Sequence, residues 1–275
     1  MKKIKIGKVL TYLILTLWAI TTLFPFVWVI LNSFKESDEV INSSFALPKV
    51  FTLDNYINAF THQNVLNAYK NSFLISGTVM ICVMLLSALM AFGLTRYQFR
   101  GKKIVESLIV ASLMFPVFST IIPVFRMIVS WGLLNKNVAV ILPQIAGNLS
   151  FATIVMKGFI QSIPVEMEEA AYMEGANVFQ VFAKIIVLLC KPSLSTVAIF
   201  SFMWSYNDLF VQMIMIRDNT KFPVSSLLQQ ISSRYGTDYG LMAASVAIIV
   251  VPVIIVYIFL QKNIIKGLTA GAIKG

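Results

Sequence analysis

Charge is scarce in this sequence. Only 12% of its 275 residues are Asp, Glu, Lys or Arg, while 58% are hydrophobic. Soluble domains carry about 25% charged and roughly 45–50% apolar residues, so half of the usual charge has been exchanged for hydrocarbon and a water-soluble enzyme is nearly excluded. Histidine occurs once, as His62, with no second His or Cys near it to complete a metal site. A Ser-His-Asp hydrolase would have to rest on that one imidazole. The two cysteines, Cys82 inside an apolar run and Cys190 far along the chain, form neither a CxxC pair nor a metal-ligand spacing and read as structural thiols. A GxxxxGK[ST] phosphate loop is missing too. The nearest basic glycine stretch, Gly101-Lys102-Lys103, lacks both its spacing and its hydroxyl. No catalytic residue, resident cofactor or metal is therefore expected in this chain, and it is not expected to hydrolyse ATP alone.

What is present is hydrocarbon in countable runs. A bilayer-spanning helix uses about 20 residues, so the apolar content supports five to seven of them. Six runs stand out, at about 9–31, 73–94, 104–129, 138–160, 193–216 and 241–260. The first is longer than the 7–15 residues of a signal-peptide core and lacks a small-x-small cleavage site after it, so it reads as an anchor that stays. The expected fold is an all-helical membrane protein of one domain over residues 1–275, with six spans and both termini on one side.

The charges then give that side a name. Residues 1–8, 96–103 and 261–275 hold eleven of the 22 basic residues and no acidic one. All three segments fall on the same face of a six-span chain, and basic loops stay cytoplasmic. The opposite face carries the near-neutral polar stretch 32–72. The net charge of +10 is thereby read as a membrane address, and a nucleic-acid partner loses its support. Arg126, near the end of the third run, can snorkel to the outer interface.

One cytoplasmic segment runs against the pattern. Residues 161–192 carry Glu166, Glu168, Glu169 and Glu174 but only Lys184 and Lys191, and long loops in compact chains tend to be functional. Ser162 can cap a helix, Pro164 fits its first turn, and the three glutamates complement its positive terminus. Gly175 stops that helix. Val178, Val181, Phe182, Ile185 and Ile186 then recur at helical spacing. The expectation is a short helix, a glycine turn and an amphipathic helix at the membrane surface. By itself this is either a solvated hairpin or a shape made to dock into a partner's groove.

Glu169-Ala170-Ala171, followed by Gly175 and then Ile185, resembles the EAA loop of ABC-importer permeases. Tyr206-Asn207-Asp208, the Gln261 to Gly275 tail with Gly267, Leu268, Thr269, Gly271 and Lys274, and the Leu23-Phe24-Pro25 and Asn32-Ser33-Phe34-Lys35 stretches are similar to the carbohydrate-uptake, MalG-like branch. The chain departs from the EAA pattern in having Glu174 for Asp, Val187 for Leu and Leu188 for Pro, and from the branch in having Tyr206 for Trp. The resemblance implies a coupling helix seated in a cleft of an ATPase subunit. Glu169 would pair with a basic residue there, Ala170 and Ala171 would allow close approach, Gly175 would make the turn, and the tail would reach the ATPase dimer interface. It also implies the partners: a homologous second permease, an ATPase dimer and an extracellular solute-binding protein.

A substrate path is the remaining expectation. Asp208 is the one acidic residue well inside an apolar run, where a carboxylate is costly and marks a pathway or a pairing site. Trp204 and Asn207 beside it suit a sugar. Gln144 and Asn148 share a helix face and serve either the path or helix–helix hydrogen bonding. Pro116, Pro123 and Pro143 read as membrane-helix kinks. The resulting reading is a sugar or oligosaccharide permease. Its alternatives are a permease for peptides or another polar solute, and an ion-driven carrier, which normally needs more intramembrane ionisable groups than Asp208 alone.

Overall fold

The computed structural model describes residues 6–62, 64–227 and 238–272. Among them every regular element is helical. The helices are α1 (Ile6–Asn32), α2 (Ser37–Ser43), α3 (Asp54–His62), α4 (Val65–Arg96), α5 (Lys102–Ser112), α6 (Val117–Ser130), α7 (Asn137–Ile160), α8 (Glu166–Met173), α9 (Val178–Val181), α10 (Val187–Leu189), α11 (Lys191–Asn207), α12 (Leu209–Met215) and α13 (Tyr239–Ala272). Three of them, α1, α4 and α7, are long and apolar enough to cross a membrane, and a fourth span results if the pair 178–189 and 191–207, bent by 78°, is one crossing.

Two of the six apolar runs are not continuous helices. The run at 104–129 divides into α5 and α6 because Pro116 has no N–H to give and its ring cannot sit over the carbonyl of Ser112, four residues back, where α5 ends. Pro116 itself is extended, with φ −62° and ψ 130°. The run at 193–216 breaks at Asp208, whose φ −77° and ψ 76° end α11 and whose side chain caps α12. A hydropathy reading sees only composition and passes over both breaks. The runs at 73–94 and 241–260 lie inside longer helices, α4 and α13, and the polar stretch 32–72 is largely helical through α2, α3 and the first turns of α4.

The chain forms two compact units, residues 1–66 with 227–254, and residues 67–226 with 255–275. In the first, residues 7–27 of α1 are exposed throughout, a hydrocarbon surface that suits lipid or a neighbouring helix. The extramembrane part of this unit is held by polar side chains on backbone carbonyls. Lys35 is fully buried, and its ammonium donates to the carbonyls of Ser43 at 2.9 Å and Ala46 at 2.7 Å. Asn55 donates from Nδ2 to the carbonyls of Ser33 and Lys35. A buried cation is tolerable only with such partners. Gly240, in the first turn of α13, lies against this clasp: a Cβ there would collide with the Lys35 carbonyl oxygen and stand 2.8 Å from Asn55 Nδ2. Gly240→Ala is therefore expected to destabilise the protein by about 1–3 kcal/mol. Thermal unfolding in detergent reads it as a lowered midpoint, and an unchanged midpoint would mean that the clasp yields freely.

The second unit packs α4, α7, α11 and α12 around one core, with Ile75 and Val79 of α4, Val140 and Met156 of α7, Val197 of α11 and Met215 of α12 almost fully buried. This core holds both regions that the sequence singled out.

Candidate functional site

The 161–192 segment begins where α7 ends. Ser162 does not cap α8: the N-cap position is Val165, without a side-chain bond, and the Ser162 hydroxyl donates instead to the Phe159 carbonyl at 2.6 Å. The sequence thus placed the helix start three residues early. Gly175 ends α8 with φ +85°. Its N–H donates to the Tyr172 carbonyl, and that of Ala176 to the Ala171 carbonyl, the paired bonds of a Schellman termination that favours glycine at this position. Asn177 and Gln180 then form a reciprocal capping box that starts α9. A π-helical turn at Phe182–Ile186 carries the chain into α10, and the bend at Cys190 is followed at once by Pro192 in the first turn of α11.

The acidic residues of α8 part company. Neighbours on a helix point about 100° apart, and here Glu169 is exposed while Glu168 is 3% exposed. Glu168 Oε1 accepts from Arg96 Nε at 2.6 Å, and the same guanidinium donates to the Ile163 carbonyl at 2.9 Å. Burial first, then the neighbouring Tyr97 and Glu168, holds the Tyr172 phenol above its ordinary value. On the open side, Ala170 is exposed with Glu169 and Ala171 is half-buried, and Met173 and Phe179 are 89% and 81% exposed. An exposed carboxylate, small residues and two large apolar side chains make a surface complementary to a groove with a basic residue.

At the other candidate region, Gln144 and Asp208 meet. Gln144 Nε2 donates to Asp208 Oδ2 at 2.9 Å, and Asp208 Oδ1 accepts the Val211 N–H at 3.1 Å. The Ser205 hydroxyl donates to Gln144 Oε1 at 2.6 Å and shares a 3.1 Å hydrogen bond with Ser76. Gln212 Nε2 donates to the Ser205 carbonyl, and the Ser225 hydroxyl donates to Gln212 Oε1. Asn148 is buried, with Nδ2 on the Gln144 carbonyl. This network satisfies the polar groups freed by the break in the run at 193–216. Gln144 thus bonds across to Ser205 of α11 and to Asp208, which caps α12, while Asn148 bonds within its own helix. Trp204 stays 45% exposed, edge-on to Phe151 with ring centroids 5.0 Å apart and tilted against Phe200 at 5.6 Å. Asn207 is exposed, its amide folded back onto the Met203 carbonyl. Of the tail residues, Gly267, Leu268, Thr269 and Gly271 belong to α13, which remains helical to Ala272, and Lys274 lies outside the described residues. Among the described residues no three His, Cys, Asp or Glu side chains cluster as a metal site.

Residues 83–270 match the family described as binding-protein-dependent transport system inner membrane component. The chain belongs to this family. The permease is 32% identical to the diacetylchitobiose uptake system permease protein of Streptomyces coelicolor, over 96% of its own length and 88% of that protein. It is also 32% identical to the galactooligosaccharides transport system permease protein of Bacillus subtilis, over 96% and 95% of the two chains. Its fold matches that of a chain in a bacterial ABC transporter involved in the import of the acidic polysaccharide alginate, with a TM-score of 0.82, 22% identity and coverage of 95% and 98%. The permease is accordingly a multi-pass, non-enzymatic membrane component with the ABC permease fold.

Sequence reasoning missed several of the permease's organising residues. Arg96 had been counted only as a topological charge, and Glu168 only as a helix-terminus acid. The two adjacent glutamates were the available signal, since side chains about 100° apart on a helix meet different surroundings. Ser205, Ser76 and Gln212 gave no pattern, because serines and glutamines in apolar runs differ little from background until the partner helix is known.

Proposed function

We propose that this permease moves a sugar or short oligosaccharide inward across the cytoplasmic membrane as one of two homologous membrane subunits driven by a separate ATPase dimer and supplied by an extracellular solute-binding protein. The observation that carries the proposal is the α8–Gly175–α9 hairpin, which presents Glu169, Ala170 and the apolar side chains of Met173 and Phe179 outward. The names of the relatives, which take up diacetylchitobiose and galactooligosaccharides, support the sugar class over a peptide. In this reading the chain is a single permease domain of six crossings, with α5 and α6 together, α11 and α12 together, and the apolar part of α13 completing the number. Both termini and the hairpin then lie on the cytoplasmic side. The α13 tail, with Gly267, Leu268, Thr269, Gly271 and Lys274, approaches the ATPase interface. ATP and magnesium belong to the ATPase chain.

Movement of the ATPase dimer is taken up at the hairpin through Glu169, with the small Ala170 and Ala171 allowing close approach and Gly175 holding the turn. It passes by chain connection into α7 and α11. The sugar-facing surface of this chain is Trp204 with Asn207, the exposed members of the cluster, while Gln144 and Asp208 hold the helices that present them. The test is uptake kinetics in vesicles carrying the whole transporter. Trp204→Ala is expected to raise the half-saturating sugar concentration about tenfold, equivalent to about 1.4 kcal/mol, with the amount of assembled complex unchanged. Normal kinetics would remove Trp204 from the path.

A further inference from the structure

Resting on the coupling reading above, we infer that α4 is a transmission rod and that Arg96 is the positioning residue that fastens it to the coupling segment. α4 has no chain connection to residues 161–192, yet its cytoplasmic end is bound to them at several points. Arg96, the last residue of α4, holds Glu168 of α8 and the Ile163 carbonyl with one guanidinium, and its side chain and that of Glu168 are only 12% and 5% exposed. One turn earlier, Phe92 lies 5.8 Å from the Tyr97 ring and 5.4 Å from that of Phe182 in the π turn. With one N–H on the Glu168 carboxylate and another on the Ile163 carbonyl, the planar guanidinium ties α8 and the turn before it to the end of α4.

The far end of the same helix is also fastened, to the segment that follows α12. Asn67 and Asn71 both donate from Nδ2 to the Thr220 carbonyl, Asn71 at 3.1 Å, and Asn71 also reaches the Phe222 carbonyl at 3.3 Å. Ser72 Oγ accepts the Val224 N–H at 2.8 Å. Between these ends the helix is uninterrupted, without an internal proline, and about 45 Å long from Asn67 to Arg96 at 1.5 Å per residue. About a third of the way along from Asn67 at 1.5 Å per residue, Ser76 joins the Ser205 network. A rigid element bonded at one end to the hairpin and at the other to the outer segment after the broken helix pair carries displacement between them, as coupling through packed elements requires.

The experiment uses the complete transporter in proteoliposomes, with sugar accumulated per ATP hydrolysed as the readout. Arg96→Ala is expected to lower this ratio about tenfold, within the range of typical coupling, while ATP hydrolysis by the assembled complex continues. Arg96→Lys, which keeps a charge within reach of Glu168, recovers most of the ratio. Should Arg96→Ala fail to assemble, Asn71→Leu at the opposite end of the rod decides: a lowered ratio supports the rod, and a wild-type ratio overturns it. Wild-type ratios in both variants likewise overturn it. Glu169→Lys in parallel separates the two claims, since uptake surviving that change removes the coupling reading itself, whereas its loss alongside normal Arg96→Ala and Asn71→Leu ratios removes only the rod.

Discussion

A permease carrying Glu169→Lys inserts into the membrane but delivers no sugar above background, and ATP hydrolysis by its partners is uncoupled from uptake. The reason lies in how α8 distributes its carboxylates. Glu168 turns inward to Arg96, and changing it disturbs the fold; Glu169 turns outward and forms no ion pair among the described residues. Its replacement therefore leaves the hairpin, the Gly175 termination and the Asn177 capping box intact. What changes is the charge offered to the ATPase cleft. Placing like charges together at an interface costs several kcal/mol, a factor of about a hundred or more in the productive contact. Uptake by vesicles and thermal unfolding of the purified chain, measured together, check the expectation: uptake is lost and the unfolding midpoint stays near the wild-type value. Normal uptake would sink the coupling role of Glu169.

Asp208→Ala has the second large effect, and it acts through stability. The substitution removes the cap of α12, worth about 0.5–2 kcal/mol, and leaves the amide of buried Gln144 without its acceptor, worth about 1–3 kcal/mol more. The two losses fall at the same point, where α11 gives way to α12, so the break itself loosens. A lowered unfolding midpoint in detergent, with increased proteolysis between Asn207 and Val211, is the expected result. Asp208→Asn keeps an oxygen for the Val211 N–H and is expected to recover roughly half of the loss. If Asp208→Ala unfolds like the wild type and alters only uptake, the carboxylate is a path residue and the capping account fails.

The sequence made the membrane class legible because hydrocarbon content and charge placement are summed over many residues and survive local irregularity. The hairpin was legible because its determinants are local: Gly175 for a positive φ and the apolar spacing from Val178 onward. What escaped were features that depend on a distant partner. The breaks at Pro116 and Asp208 replace helical hydrogen bonds with caps and cross-helix bonds that composition cannot register. Lys35 looked like an ordinary loop cation but is buried against two carbonyls. Gln144 and Asp208 drew notice as polar groups in hydrocarbon, yet only the packing of α7 on α11 shows that each satisfies the other. The same packing leaves Trp204 and Asn207 as the exposed part of that cluster.

Energy source tests the central claim most directly. Proteoliposomes holding this permease, its partner permease and the ATPase dimer, with the solute-binding protein and a labelled oligosaccharide on the outer side, separate ATP-driven import from ion-driven carriage in one experiment. The account predicts accumulation that requires ATP, the ATPase and the binding protein together and is indifferent to an imposed proton or sodium gradient. Accumulation driven by such a gradient without the ATPase would contradict it.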